Sequence, residues 1–89
     1  MKTINLTYEL VPSENGLMEV YCLENERIFT FGETLSDCKK MAREATEGYL
    51  AVVRDGGRLQ KELENLQKPP RANGKKRFKL KIDLDSLPQ

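Results

Sequence analysis

The side chains in this sequence that could do chemistry fall into four groups: two thiols, the three aspartates Asp55, Asp83 and Asp85, a run of cations and a few loop glutamates. A thiol can be a nucleophile, a metal ligand or half of a disulfide. Cys22 and Cys38 find no company for any of these roles. The sequence contains no histidine, so neither a Ser-His nor a Cys-His nucleophile scheme can be built. Two Cys cannot complete a tetrahedral zinc shell within one chain, and they are too few for a disulfide framework. Both lie in apolar patterns and read as small core hydrophobes. Asp55, Asp83 and Asp85 match no metal loop; Asp55 sits where a helix should close and Asp83-Leu84-Asp85-Ser86 where a strand should end. No catalytic residue, metal or cofactor is therefore expected, and the chain reads as a non-enzyme.

What remains is chemistry directed at macromolecules. Residues 1–67 carry eight Lys and Arg against twelve Asp and Glu, a net −4, whereas residues 68–89 carry seven against two, a net +5. In the basic tail Lys75, Lys76, Arg77, Lys79 and Lys81 are of the type that neutralises phosphates. They equally suit a solvated strand face paired with Glu9 or Glu19 across a sheet. In the acidic part Glu14, Glu24 and Glu26 fall in turns, either as a rim facing a basic partner or as plain solvated loops. No apolar run approaches the roughly 20 residues a membrane helix needs. The start lacks the apolar stretch of a signal peptide, so a cytoplasmic protein is expected.

These groups are positioned by elements that the hydrophobic pattern outlines. Ile4, Leu6, Tyr8 and Leu10 alternate with polar residues, the period of a half-buried strand. Pro12 and Ser13-Glu14-Asn15-Gly16 supply a turn, and 17–23 reads as the returning strand of a hairpin. There Leu17, Tyr21 and Leu23 share one face, and Met18, Val20 and Cys22 the other. Either set can face the core. A strand with apolar residues on both faces signals an interface, with Leu17, Tyr21 and Leu23 as the candidate anchors.

Ile28-Phe29-Thr30-Phe31 reads as a third strand ended by Gly32. Thr34 is a helix N-cap, with Asp37 three residues on. Leu35, Cys38, Ala42, Ala45, Tyr49 and Val52 then recur at spacings of three and four, the stripe of an amphipathic helix that Gly56-Gly57 should cap. Leu59, Leu63 and Leu66 outline a shorter helix over 58–67, which folds back on its own core or packs on a second copy. Residues 68–76 form a linker that its prolines keep extended, and 77–84 alternate as the last strand.

The expected architecture is α+β: one 89-residue domain with a two-layer, antiparallel β-β-β-α-(short α)-β sheet and one long helix on one face. A core this thin, next to an exposed sheet edge, points to a homodimer.

From Phe31 through Leu50 the chain resembles the HicB-type antitoxin family. Thr30-Phe31-Gly32-Glu33-Thr34 stands where that family has its approach to the helix, and Met41-Ala42-Arg43-Glu44-Ala45 where it has an Asn-Ala-x-Glu-Ala pattern. Asn15-Gly16 falls at the family's hairpin tip. The likeness covers roughly 4–57, most closely 28–57. It departs before the third strand, where 22–28 replace a Pro-Asp-Leu-Pro-Gly-Cys stretch, and the usual C-terminal DNA-binding unit has no counterpart here. The resemblance is thus to the N-terminal, toxin-neutralising domain. It implies a bacterial antitoxin-like module that masks a small basic ribonuclease-type toxin, a partner that the −4 of residues 1–67 would suit. The alternative is a nucleic-acid-binding regulator using the basic last strand.

Overall fold

Alternation over the first residues produces a strand, β1 (Thr3–Pro12), which the turn at Ser13–Gly16 reverses into β2 (Met18–Cys22). The turn closes with the Ser13 N–H donating to the Leu17 carbonyl and with Gly16 at φ +82, a conformation open to glycine at little cost. β3 (Phe29–Gly32) follows, then the long helix α1 (Leu35–Asp55), the short helix α2 (Leu59–Glu64), β4 (Arg77–Asp83) and a 3-10 turn at Leu84–Ser86. These elements are those of a computed structural model that describes residues 2–89. The strands form one antiparallel sheet in the order β3-β2-β1-β4, so the first strand is central and β3 and β4 are the edges.

The sheet's inner face carries Leu6, Tyr8 and Leu10 of β1, Val20 and Cys22 of β2, and Phe78, Leu80 and Ile82 of β4. Tyr8 and Phe78 are register partners and stack at 5.2 Å. α1 closes this face through Cys38, Ala42, Thr46, Leu50, Ala51 and Val53. The expected stripe is correct in its middle and wrong at its ends, because Leu35 is 50% and Val52 69% exposed. The buried line runs along Cys38, Ala42, Thr46 and Leu50, and Thr46 can join it because its hydroxyl hydrogen-bonds the buried Tyr8 hydroxyl. A polar residue is thereby admitted to the core without an unmet partner.

Thr34 caps α1, its hydroxyl accepting from the Asp37 N–H. At the other end the Gly57 N–H donates to the Arg54 carbonyl, with Gly57 at φ +75. The first turn of α1 lies hard against β3. A Cβ on Gly32 would stand 2.7 Å from Cys38 Sγ and 2.8 Å from its backbone nitrogen, so only glycine lets strand and helix approach this closely. The short helix folds back on its own core: Leu59, Leu63 and Leu66 pack against the central cluster. Arg77 then secures the linker, donating to the Pro70 and Arg71 carbonyls while pairing with Glu9.

Candidate protein-binding surface on the outer sheet face

Because Val20 and Cys22 are buried, the residues that alternate with them face outward, which settles the orientation the sequence left open. Tyr21 lies opposite Phe29 on β3 and Glu9 on β1, and Glu9 lies opposite Arg77. One row across the outer face therefore reads Phe29, Tyr21, Glu9, Arg77. The next reads Phe31, Glu19, Val11. The face is aromatic at the β3 side, acidic in the middle and basic at the β4 side.

The aromatic end is a patch of three rings. Tyr21 and Phe29 stack with centroids 6.3 Å apart, and Phe29 meets Phe31 edge-on at 6.1 Å, geometries that aromatic quadrupoles favour. Tyr21 is 39%, Phe29 56% and Phe31 46% exposed. Three large rings left this open beside one another are a contiguous apolar surface of the kind that marks an interaction site. The Tyr21 hydroxyl donates to Glu19 Oε1, and that bond raises the phenol's pKa first of all causes. A shallow groove continues from Phe31 to the hairpin tip, lined by Val11, Pro12, Ser13, Glu14, Asn15 and Glu19.

The residues singled out from sequence separate on this scaffold. Tyr21 belongs to the patch, and Glu14 is exposed at the far end of the groove; Leu17 and Leu23 are only half-buried. Glu24 is not part of an open acidic rim. It is buried, and its carboxylate accepts from the Thr7 N–H at 2.8 Å. Leu23 donates to the Thr7 carbonyl, and where the chain then turns off the ladder the Glu24 side chain supplies the acceptor that the Leu23 carbonyl would have given in a continued ladder. Glu26 is exposed beside a polar cleft lined also by Asn25, Arg27 and Glu62. In that cleft the Glu62 carboxylate accepts from Tyr49 and Asn25, and the Tyr49 bond in particular holds its pKa below the usual carboxylate range.

The basic set is divided too. Arg77 and Lys75 pair with Glu9 at 3.3 and 3.8 Å, the cross-sheet arrangement that the strand pattern allowed. Lys76, Lys79 and Lys81 are exposed, and Phe78 is turned into the core. Phe29 and Phe31 were missed as surface residues. Their signal was present, because two bulky rings on a four-residue strand share a face and Ile28 and Thr30 already supply the other.

Cys22 and Cys38 are buried free thiols; burial pushes the Cys22 thiol up to about 11, so it is protonated at neutral pH. Among the described residues no group of His, Cys, Asp and Glu is placed to hold a metal ion. No helix among them is long and apolar enough to cross a membrane.

The elements define a small α+β class: a four-stranded antiparallel sheet carrying one long and one short helix. A solved structure with this fold is the N-terminal domain of the Burkholderia pseudomallei antitoxin HicB, which superposes with a TM-score of 0.69 over 90% of this chain and 99% of that domain. Sequence identity is 16%, so the likeness is one of fold. No family model matches the sequence, and no curated protein does.

Proposed function

We propose that this chain is a protein-binding module of the antitoxin type, which neutralises or masks a small basic ribonuclease-type toxin in the bacterial cytoplasm and does no catalysis of its own. The observation that carries the reading is the exposed aromatic patch of Tyr21, Phe29 and Phe31 on the outer sheet face. Open aromatic rings supply the buried anchors that dominate protein interfaces, and Glu14 and Glu19 line the groove beside Phe31. The shared fold of the HicB domain supports it, as does the net −4 of residues 1–67, which would suit a basic partner. The chain also self-associates as a homodimer in this reading.

This reading expects a small basic protein encoded beside the chain, and co-expression with it tests the proposal. A stable complex is expected, and Tyr21→Ala with Phe29→Ala should weaken it by about 100-fold, the loss of two interface anchors. Absence of a complex, or a complex indifferent to the double substitution, overturns it.

Exposed Lys76, Lys79 and Lys81 support the second reading, a nucleic-acid-binding regulator. With about three phosphates contacted, affinity would fall with a log–log slope near −3 in salt. Failure to bind RNA or DNA at low salt removes that reading.

A further inference from the structure

The hydrogen-bond parity of the sheet shows what its free edge displays. The Cys22 N–H donates to the Ile28 carbonyl, and in an antiparallel ladder the residues that exchange bonds alternate. Ile28, Thr30 and Gly32 therefore turn their backbone groups toward β2, in register with Cys22, Val20 and Met18. Phe29 and Phe31 turn theirs the other way, to the free edge. The two residues whose rings are bare on the outer face are also the two whose N–H and C=O groups point off the end of the sheet.

The other edge has the same construction and the opposite chemistry. The Leu10 N–H donates to the Lys76 carbonyl, so the backbone groups of Arg77, Lys79, Lys81 and Asp83 face outward from β4. Inserted charge, lysine above all, is how natural sheets stop an edge from pairing. The Lys81 carbonyl is further occupied by the Arg43 guanidinium. One edge is guarded and the other is not.

We infer that the β3 edge pairs with β3 of a second copy, antiparallel about a two-fold axis at Thr30. This rests on the reading of the chain as self-associating and adds the surface that does it. The segment Arg27-Ile28-Phe29-Thr30-Phe31-Gly32-Glu33 is self-complementary in that register. Phe29 lies opposite the second copy's Phe31 and Phe31 opposite its Phe29, both as hydrogen-bonded pairs that satisfy the free backbone groups. The four rings fall side by side on the outer face, where cross-strand aromatic pairs stabilise a sheet. Pairing β3 with β4 instead would set rings against lysines and leave an open, heterologous chain of subunits. The two-fold arrangement closes and leaves only the lysine-guarded β4 edges exposed. The result is an eight-stranded sheet with one aromatic strip across its middle, on which a basic partner would still dock.

Sedimentation at micromolar concentration, run on three forms of the chain, tests the inference. The unsubstituted protein should be dimeric. Phe31→Lys, which places charge on the edge without touching the β2 ladder, should raise the dimer dissociation constant by about 100-fold or more. Thr30→Cys provides a second readout, since the two Thr30 Cα atoms would lie about 4.5 Å apart as a non-hydrogen-bonded pair, within the roughly 4.4–6.8 Å a disulfide spans. Mild oxidation should then yield a covalent dimer. A monomeric unsubstituted chain overturns both the self-association and its surface. A dimer that ignores Phe31→Lys and fails to cross-link through Thr30→Cys overturns the edge assignment alone. Tyr21→Ala, whose backbone is committed to β1, should leave the dimer intact while weakening the basic partner, which keeps the two interfaces experimentally apart.

Discussion

The two edge strands of the sheet are built on one plan and differ in the side chains placed on it. In both β3 and β4 the outward-facing residues are those whose backbone groups point to the free edge. β3 puts phenylalanine there and β4 puts arginine and lysine. β4 is long, seven residues, and its exposed cations stand above an inner face of Phe78, Leu80 and Ile82 that anchors it to the core. β3 is four residues long, and its attachment depends on close contact at Gly32 with the start of α1. The lysine-lined edge is thus secured by its own strand, whereas the aromatic edge is secured by a neighbouring helix.

The sharpest way to break that contrast is to remove the contact that holds β3. Gly32→Ala places a methyl group inside van der Waals distance of the Cys38 backbone, which has no flexible end to move aside. Overpacking of this kind costs about 1–3 kcal/mol, and a backbone obstacle puts Gly32→Ala at the upper end. Chemical denaturation should register the full loss. Amide exchange should show β3 and the first turn of α1 opening together while β1 and β4 stay protected. Uniform loss of protection along the sheet would mean β3 is not separately anchored.

A smaller effect is expected where β2 hands over to β3. Glu24→Ala removes the acceptor from the buried Thr7 N–H, and an orphaned buried donor costs about 1–3 kcal/mol. Glu24→Gln keeps a carbonyl oxygen at that place and should recover most of the loss. If Glu24→Ala instead lowers partner affinity with stability unchanged, Glu24 belongs to the acidic rim after all.

Much of this was legible in the sequence because local pattern and global role agree there. The alternation of β1 and β4, the Thr34 cap and the glycine stop after Arg54 each need only near neighbours to be read. The orientation of β2 was not legible, since Leu17, Tyr21 and Leu23 are as apolar as Met18, Val20 and Cys22, and only the position of α1 decides between them. Glu24 escaped for a related reason. A glutamate in a turn looks solvated until the strand end that requires its carboxylate is seen beside it. Val52 and Leu35 were drawn into the helix stripe by their apolarity, although the buried line is completed by Thr46, whose partner Tyr8 lies 38 residues away.

The smallest energetic change should fall on β4, and it bears most directly on why the edges differ. Lys79 and Lys81 are exposed and, among the described residues, form no ion pair with a carboxylate, so replacing both with threonine should shift stability by no more than about 0.5 kcal/mol. Threonine suits a strand at least as well as lysine does. What changes is the guard: the edge keeps its outward N–H and C=O groups and loses the charges that keep another strand away. Light scattering should therefore show association growing with concentration beyond the proposed two-copy species, whose second edges would now be available. The Lys79→Thr, Lys81→Thr protein staying at the size of the unsubstituted one would mean that length and twist, not charge, protect β4. The aromatic edge would then owe its availability to being short and loosely held, and the chemistry of Phe29 and Phe31 would matter for affinity more than for access.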